Sequence, residues 1–314
     1  MIPILMLLGG SALLYFGAEG LVSGSASLAV RIGITPLVVG LTVVAFGTSS
    51  PELVVSMLAA LKDNSEIALG NVIGSNVCNI ALILGVAALI RPIKVSMNFI
   101  KKDMAIMIGA AVLLIILLMD GELGLIDGIV FSAGIIIYNF MAIYFSRKND
   151  DIDPEAIDNI DPRRKPWIDV LFVIGGLIIL AAGANAFLKG AVRIAEMLGA
   201  SNALIGLTIV ALGTSLPELA TSIVASVKKE ADITLGNAIG SNIYNILCIL
   251  GFTAIVHPIA SGGISDVDLG VMLLVAVLIY PLSRIGMQIG RIKGAFLLLV
   301  YVGYMVYLFN QIGN

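Results

Sequence analysis

The chain alternates between long apolar runs and short polar breaks, and ten of these runs are long enough to cross a lipid bilayer. One helical crossing needs about 20 predominantly apolar residues. The predicted spans are residues 2–24, 34–60, 66–90, 102–119, 124–146, 167–188, 200–226, 232–256, 267–283 and 293–311. The pattern therefore predicts an all-α fold, a polytopic protein of the lipid bilayer with ten transmembrane helices.

One strongly polar interruption separates the ten runs into two groups of five. Its clustered Asp, Arg, Lys and Pro residues are typical of an exposed linker. We predict a first five-helix repeat over residues 1–146, a linker over 147–166 and a second five-helix repeat over 167–314. Charged residues make up 12% of the sequence, against about a quarter in soluble domains, which excludes an ordinary soluble protein.

The Lys and Arg residues predict the orientation in the membrane. With the N-terminus outside, fifteen of the 18 basic residues fall on the cytoplasmic side, in agreement with the positive-inside rule. We expect a multi-pass protein of the cell (inner) membrane, with both termini outside and the linker in the cytoplasm. The first run lacks a basic flank and a cleavage site, so we expect it to be a retained span. Because five is odd, the second group enters the membrane reversed, which makes the repeat an inverted one.

Two polar motifs interrupt the apolar runs, and each occurs twice. They are GTSSPE and GNVIGSNVCN at residues 47–52 and 70–79, and GTSLPE and GNAIGSNIYN at residues 213–218 and 236–245. The second copies lie 166 positions after the first, and residues 40–93 match residues 206–259 without a gap at 30 of 54 positions. Because the matches include Gly, Thr, Ser, Pro, Glu and Asn, they indicate an internal duplication.

The first motif predicts a break inside a membrane helix. Pro51 cannot donate a backbone hydrogen bond, so it ends one half-helix and suits the start of the next. Gly47 permits a sharp turn, and Ser49 or Ser50 can cap the new helix. The carbonyls around 45–48 are expected to lose their helical partners, which is tolerated at membrane depth only inside protein or beside a wet cavity. Discontinuous helices of this kind form the midplane sites of transporters with inverted repeats.

Glu52 and Glu218 are the candidates for the chemistry of the site. An acid at the centre of a span costs on the order of 3 kcal/mol on insertion scales, and its default interpretation is functional. Spans 2, 3, 7 and 8 contain no Lys, Arg or His at that depth to neutralise either acid. Two converging carboxylates without a countercharge predict a cation site.

Neutral oxygen donors near the two acids indicate which cation is bound. The candidate side chains are Thr48, Thr214, Ser49, Ser215, Ser75, Ser241, Asn79 and Asn245. Calcium takes about 6–8 oxygen ligands, sodium accepts the same donors, and transition metals would favour His or Cys. Ca²⁺ and Na⁺ are the expected partners, as cargo, and nothing indicates a cofactor, a nucleic acid or a protein partner. Asn71, Asn76, Asn237 and Asn242 suit helix packing and ion binding equally well.

A further acid, Glu19, lies in the first span near Ser23 and Ser25. It is either a residue of the cytoplasmic end of that span or part of an ion path. We favour the first interpretation.

With these motifs, the chain resembles the calcium/cation antiporter superfamily, specifically the prokaryotic sodium/calcium exchangers. GTSSPE with GNVIGSNVCN, and GTSLPE with GNAIGSNIYN, are similar to the two repeats of that family. The resemblance implies calcium-ligating acids at Glu52 and Glu218, with further oxygens from Thr48 and Thr214. The additional sodium sites of the family correspond to Ala45, Ser49, Ser75, Ala211, Ser215 and Ser241. Its central polar pair corresponds to Asn79 and Asn245.

The resemblance implies a secondary antiporter that exchanges sodium for calcium by alternating access and moves net charge, and not an enzyme. Asn245 departs from the Asp of several potassium-dependent members, and Ile73 and Gly74 stand where proton exchangers carry an acid. A calcium/proton or potassium-dependent exchanger and a cation channel are the alternatives. An intramembrane hydrolase with an acid dyad is a further rival, although hydrolysis does not require duplicated motifs rich in Gly and Pro.

Overall fold

The computed structural model describes residues 2–148, 165–197, 211–262 and 264–312, and it is almost entirely helical. In chain order the helices are α1 (Ile2–Arg31), α2 (Pro36–Thr48), α3 (Ser50–Ala60), α4 (Ser65–Ile90), α5 (Met97–Asp120), α6 (Leu125–Lys148), α7 (Pro166–Met197), α8 (Ala211–Thr214), α9 (Leu216–Val227), α10 (Ala231–Val256), α11 (Asp266–Arg284) and α12 (Arg291–Ile312). The all-α fold is confirmed.

Eight helices in the described ranges are long and apolar enough to cross a membrane, and the bent pair α2–α3 makes a ninth. The predicted seventh span, 200–226, begins outside the described residues, which include only its later part, α8 and α9. The predicted linker, 147–166, also lies mostly outside them. Helices α6 and α7 extend into it from either side, as far as Lys148 and from Pro166.

The break between α2 and α3 bends the chain by 44°. Pro51 lies in the first turn of α3, as predicted, and Ser49 occupies the break itself with φ −83° and ψ 4°. The predicted side-chain cap is wrong: Ser49 forms no cap hydrogen bond, and Ser50 Oγ donates 2.8 Å back to the carbonyl of Phe46. The hydroxyl of Ser49 instead reaches a carboxylate in the other half of the chain, since a charged acceptor makes the stronger hydrogen bond.

Gly47 does not supply the predicted sharp turn. It lies within helix α2 with an ordinary negative φ, and a Cβ there would lie 2.5 Å from the side chain of Leu177 on α7. The glycine therefore allows close packing against α7. The carbonyl of Ala45 accepts the backbone N–H of Ser49 at 3.0 Å, so the predicted loss of its helical partner is also wrong. The carbonyl that loses its helical partner is that of Gly47. In a helix it would accept the N–H of the residue four positions later, which is Pro51, and proline has no N–H.

Helices α4 and α10 form the centre of the molecule. In their most apolar windows 72% and 83% of residues are buried, against 33% or less in the other long helices. Both contain a π-helical stretch, Cys78–Ile83 in α4 and Asn245–Leu250 in α10. Such wide turns are rare and are frequent at functional sites. Asn79 and Asn245 lie in these two stretches, which places the two polar side chains in the buried centre.

Helices α1 and α7 pack along each other through six glycines. At each one an added Cβ would lie 2.6–2.8 Å from a backbone atom of the partner helix, which real Cβ atoms essentially never do. The glycines are Gly10, Gly17 and Gly24 on α1 and Gly176, Gly183 and Gly190 on α7, and the two sets are related by the same offset of 166. Small residues of this kind let membrane helices approach closely. Both helices extend beyond the predicted 2–24 and 167–188, as far as Arg31 and Met197.

One end of this helix pair is joined by polar contacts. Arg31 Nε lies 2.7 Å from Oδ2 of the fully buried Asp169, and Ser27 Oγ donates to the same oxygen at 2.9 Å. A buried carboxylate in membrane surroundings requires such partners. The pair α1–α7 is therefore held by both backbone contact and charge.

Two short antiparallel ribbons connect the first half of the chain to the second. Strand β1 (Ile93–Lys94) pairs with β4 (Gln288–Ile289), and β2 (Glu122–Leu123) pairs with β3 (Ile259–Ala260). Adding 166 to the residue numbers of β1 gives β3, and adding it to β2 gives β4. The offset therefore exchanges the two ribbons, with the register of each pair preserved.

Candidate ion-binding site

The two predicted acids lie together in the interior. Glu52 is in the first turn of α3 and Glu218 in the first turn of α9, and each side chain is 1% exposed. Ser49 Oγ donates to Glu218 Oε1 at 2.9 Å, and Ser215 Oγ lies 3.3 Å from Glu52 Oε1 as a donor. Each carboxylate is thus held by the serine that precedes the other acid, so the two helix breaks face each other.

The second oxygen of each carboxylate makes no hydrogen bond to any described residue. Oε2 of Glu52 and Oε2 of Glu218 are buried without a hydrogen-bond partner among the described residues, and the two groups are near enough to interact electrostatically. The described chain contains no cluster of three or more His, Cys, Asp or Glu side chains suited to a metal. Buried charges are normally paired or coordinate an ion. The pair of acids, with neutral oxygens around it, can therefore hold a hard cation.

Two predicted serines of the central helices complete the surroundings of the acids. Ser215 Oγ lies 3.2 Å from Oγ of Ser75 on α4. Ser241 on α10 stands beside Glu218, and its buried hydroxyl has no hydrogen-bond partner in the part of the chain that the structure describes. The structure thus brings both serines to the acids.

The predicted asparagine pair presents two carbonyl oxygens. Oδ1 of Asn79 and Oδ1 of Asn245 are buried and accept no hydrogen bond from any described residue. Asn245 Nδ2 donates to Asn76 Oδ1 at 3.0 Å, which fixes the orientation of its amide. An amide held by its nitrogen leaves its oxygen available as a ligand.

The predicted threonines contact the opposite half of the chain. Thr48 Oγ1 lies 3.0 Å from Asn237 Oδ1 and also reaches the carbonyl of Val44 at 3.0 Å, while Thr214 Oγ1 donates to Asn71 Oδ1 at 3.3 Å. Of the predicted alanines, Ala45 is buried in α2. Ala211 is the first residue of α8, and the structure describes its backbone only.

The sequence left the roles of Asn71 and Asn237 open, and the structure ties both to the acids. Asn71 Nδ2 donates to the backbone carbonyl of Glu52 at 3.3 Å, and Asn237 Nδ2 donates to that of Glu218 at 3.1 Å. The only sequence signal was their position after Gly in the second motif. Their partners could not be read from that motif, because they lie 19 residues away along the chain.

A cavity of about 220 Å³ lies beside this site. It lies between α7 and α8–α9, is lined by Phe187, Ala191 and Leu216, and reaches Ser215 and Cys78. The surface that lines this cavity is apolar, and Ser215 is one of the residues beside it. The cavity thus lies beside the site, next to the part of α7 near its C-terminus.

The family profile described as "Sodium/calcium exchanger protein" matches residues 2–144 and 168–310, nearly the whole chain. The chain belongs to the sodium/calcium exchanger family. The two matched ranges are offset by 166, as are the motifs. This membership makes the protein a sodium/calcium antiporter of the prokaryotic calcium/cation type, with Na⁺ and Ca²⁺ as its substrates.

Relatives cover the chain from end to end. The putative antiporter CaxA of Alkalimonas amylolytica is 36% identical over 99% of this chain and 100% of its own length. The sodium/calcium exchanger MaX1 of Methanosarcina acetivorans is 32% identical over 98% of this chain and 99% of its own. The solved structure of the sodium-calcium exchanger NCX_Mj, soaked with 2.5 mM Na⁺ and 1 mM Sr²⁺, superposes with a TM-score of 0.86 at 32% identity, covering 98% of each chain. The polytopic membrane fold of this antiporter is thus shared with a solved exchanger.

Proposed function

We propose that the protein exchanges Na⁺ for Ca²⁺ by alternating access, with the cations bound between Glu52 and Glu218. One observation carries this proposal: each buried carboxylate has one oxygen bonded to a serine of the other half and one oxygen without a partner among the described residues. A site shared by two halves opens to one side or the other when the halves move against each other. That is the arrangement that alternating access requires.

The charge of the site explains why the two ions exchange. The two carboxylates provide about −2, which one Ca²⁺ neutralises and roughly two to three Na⁺ satisfy or overshoot. Because both loads use the same oxygens, binding of one displaces the other. An empty site of this charge is costly to carry through the low-dielectric barrier, which favours exchange over leak. A load of three Na⁺ against one Ca²⁺ moves net charge, and we propose that transport is electrogenic.

We propose specific roles for the neutral oxygens. The acids bind Ca²⁺ with help from Thr48 and Thr214. The additional Na⁺ ligands are the side chains or carbonyls of Ser49, Ser215, Ser75, Ser241, Ala45 and Ala211. Asn79 and Asn245 provide the two central amide oxygens, and their unbonded Oδ1 atoms support this assignment. No cofactor and no enzymatic activity enter this mechanism.

We also propose that the fold is an inverted repeat of ten spans. Support comes from the exchange of the two ribbons under the 166 offset and from the two glycine sets of α1 and α7. Residues 1–146 and 167–314 would then form the two five-helix repeats around a cytoplasmic linker, 147–166. Both termini would face the outside of the cell membrane, in line with the distribution of Lys and Arg.

The rivals account less well for the contacts. A hydrolase dyad needs two carboxyls that share a proton, but here each carboxylate is held by a serine of the opposite half. A channel needs no duplicated break with crosswise contacts. Within the superfamily, the neutral Asn245 gives no charge for K⁺, and its amide nitrogen is already bonded to Asn76.

Vesicles containing the purified protein test this proposal. Loaded with Na⁺ and diluted into Na⁺-free medium, they should take up Ca²⁺, and uptake should stop when the Na⁺ gradient is removed. The rate should be the same with and without external K⁺ and should need no pH gradient. A protonophore should increase it by dissipating the potential that net charge movement creates. Uptake that requires K⁺ or a pH gradient would favour the corresponding alternative, and uptake without any gradient of a coupling ion would indicate a channel.

A further inference from the structure

Asn71 and Asn237 form equivalent hydrogen-bond networks beside the two acids. Asn237 Nδ2 donates to the carbonyl of Glu218 at 3.1 Å and to Ser222 Oγ at 3.0 Å. Asn71 Nδ2 makes the same two contacts in the first half, at 3.3 Å to the carbonyl of Glu52 and at 3.0 Å to the hydroxyl of Ser56. The repeat relates every atom of one network to an atom of the other.

The chemistry of these partners determines which way each amide faces. A backbone carbonyl can only accept, so the amide atom beside Glu218 must be the nitrogen. The oxygen of Asn237 then faces Thr48 Oγ1 at 3.0 Å as an acceptor, beside the carbonyl of Val44, which accepts at the same distance. The same reasoning holds for Asn71 and Thr214. Because neither acceptor can donate, the threonine proton is directed toward the amide and the backbone carbonyl, which leaves the hydroxyl lone pairs for a cation.

We infer that Asn71 and Asn237 are positioning residues that set the polarity of the two threonine hydroxyls in the ion site. Each also ties the acid of its own half to the threonine of the other half. The ligands are therefore aligned only when both halves are docked. This inference rests on the proposed site at Glu52 and Glu218.

A double-mutant cycle tests the inference. Asn237→Leu keeps the size of the side chain and should raise the KM for Ca²⁺ by roughly tenfold, as expected for one or two buried hydrogen bonds, with a smaller change in kcat. In a Thr48→Val background, the same substitution should have much less effect on KM, because the hydroxyl it orients is already gone.

The repeat supplies a matched control for this cycle. Among the described residues the Asn237 amide bonds to Thr48, Glu218 and Ser222, so Asn237→Leu and Thr214→Val should be additive, and Asn71→Leu should couple to Thr214→Val only. Equal coupling to both threonines, or none, would overturn the inference and show a purely structural role. If Asn237→Leu fails to fold, the Asn71 cycle decides, since that side chain is only partly buried. Failure of Na⁺-driven uptake in the parent would instead reject the proposed function itself.

A second inference rests on a different contact, at the end of α9. Lys228, the residue after this helix, forms an ion pair with Glu19 of α1 at 3.1 Å and donates to Ser23 Oγ at 2.8 Å. It therefore connects the helix that carries Glu218 to the pair α1–α7. The sequence favoured a span-end role for Glu19 over a place on an ion path, and the ion pair with Lys228 supports that interpretation.

The ion pair and the cavity lie on opposite sides of the site. Lys228 is 13 residues beyond Ser215, or about 20 Å along α9. The cavity reaches Ser215 from the side of Phe187 and Ala191. The cavity thus lies toward one end of α7, and Lys228 joins α9 to α1 toward the other.

The repeat lacks a second ion pair of this kind. Subtracting 166 from Lys228 gives Lys62, but adding 166 to Glu19 gives Asn185. Lys62 and Asn185 form no ion pair or hydrogen bond with each other, although both lie in the described ranges. In the mirrored state of an inverted repeat these two residues would meet, as a cation and a neutral amide. The geometry points to Glu19–Lys228 as a one-sided latch that favours the state in which the cavity at Ala191 is open.

Thiol labelling of Ala191→Cys reports this state directly. Substituting Glu19→Gln should slow labelling by a membrane-impermeant thiol reagent by roughly two- to fivefold, the range expected for a partly exposed ion pair. The charge swap of Glu19→Lys with Lys228→Glu should restore the parent rate, and Asn185→Glu should slow labelling by adding the missing acid on the other side. Glu122→Gln, at an exposed acid, is the control.

Labelling that is unchanged by Glu19→Gln, or not restored by the swap, would overturn the latch. The parent Ala191→Cys protein must show Na⁺-driven Ca²⁺ uptake and labelling that responds to Na⁺ and Ca²⁺. If it does neither, the proposed alternating access is at fault and not the latch.

Discussion

Glu52→Gln and Glu218→Gln should each reduce Na⁺-driven Ca²⁺ uptake by about a hundredfold or more. Each substitution keeps the shape of the side chain and removes half of the charge that faces the cation. Losing one partner of a buried charge interaction costs about 2–5 kcal/mol, and about 1.4 kcal/mol corresponds to tenfold. The serine contacts remain possible, because a Gln carbonyl still accepts from Ser215 or Ser49. Uptake in vesicles that contain equal amounts of protein measures the effect.

Glu66→Gln is the matched control for this loss. Glu66 lies in the first turn of α4, close in sequence to Glu52 but exposed, and its substitution should leave uptake within a factor of two or so, as for most surface changes. Gel filtration in detergent should show that the variants are folded. If either Glu52→Gln or Glu218→Gln retains Na⁺-driven uptake near the parent rate, the two-carboxylate site is wrong.

Gly176→Ala should cause the other large loss. The new Cβ would lie 2.6 Å from the backbone nitrogen of Leu21 and 2.8 Å from the carbonyl of Gly17. Neither backbone atom can move aside by a rotamer change, so α1 and α7 must separate. Overpacking of this kind costs about 1–3 kcal/mol, and we expect a drop of roughly tenfold or more in the exchange rate. Gly17→Ala, whose Cβ would lie 2.7 Å from the nitrogen of Leu180, should behave in the same way.

Gly175→Ala separates this effect from any effect of helix propensity. Gly175 precedes Gly176 on the same helix, and a Cβ there meets nothing within 4 Å. Alanine favours a helix over glycine by about 1 kcal/mol, so this variant should be as stable as the parent or more so, and should transport normally. Equal uptake by the two variants would show that close contact of α1 with α7 is not needed for exchange.

Several features of the fold could be predicted because they depend on composition and local pattern. Long apolar runs predict membrane helices, since unpaired backbone groups are too costly in lipid. The break at Pro51 follows from the missing donor of proline. The intramembrane acids stood out because no basic residue lay near them in sequence. The end of α1 was predicted too early, because the helix continues to Arg31, whose side chain pairs with Asp169 of α7.

Other expectations were wrong because they treated long-range contacts as local ones. Gly47 was interpreted as a turn residue. Glycine is needed there because the side chain of Leu177, 130 positions away in the sequence, leaves no room for a Cβ. Ser49 was interpreted as a helix cap, but its hydroxyl donates to Glu218. A local motif identifies a residue type, and that residue type can serve as a turn, a cap, a packing contact or a ligand. Only the neighbours brought by the fold select among these roles.

The sequence by itself determined the membrane class and the duplication, and it predicted the two acids and the candidate oxygen donors. These follow from hydropathy, from the 166 offset and from the cost of burying charge, all of which are properties of residue type and spacing. Only the tertiary structure decided that Ser49 and Ser215 contact the acids crosswise, that Asn71 and Asn237 meet the threonines of the opposite halves, and that Lys228 meets Glu19. The physical reason is that a hydrogen bond or an ion pair depends on ångström distances between atoms far apart in the chain, which packing of the two halves alone sets.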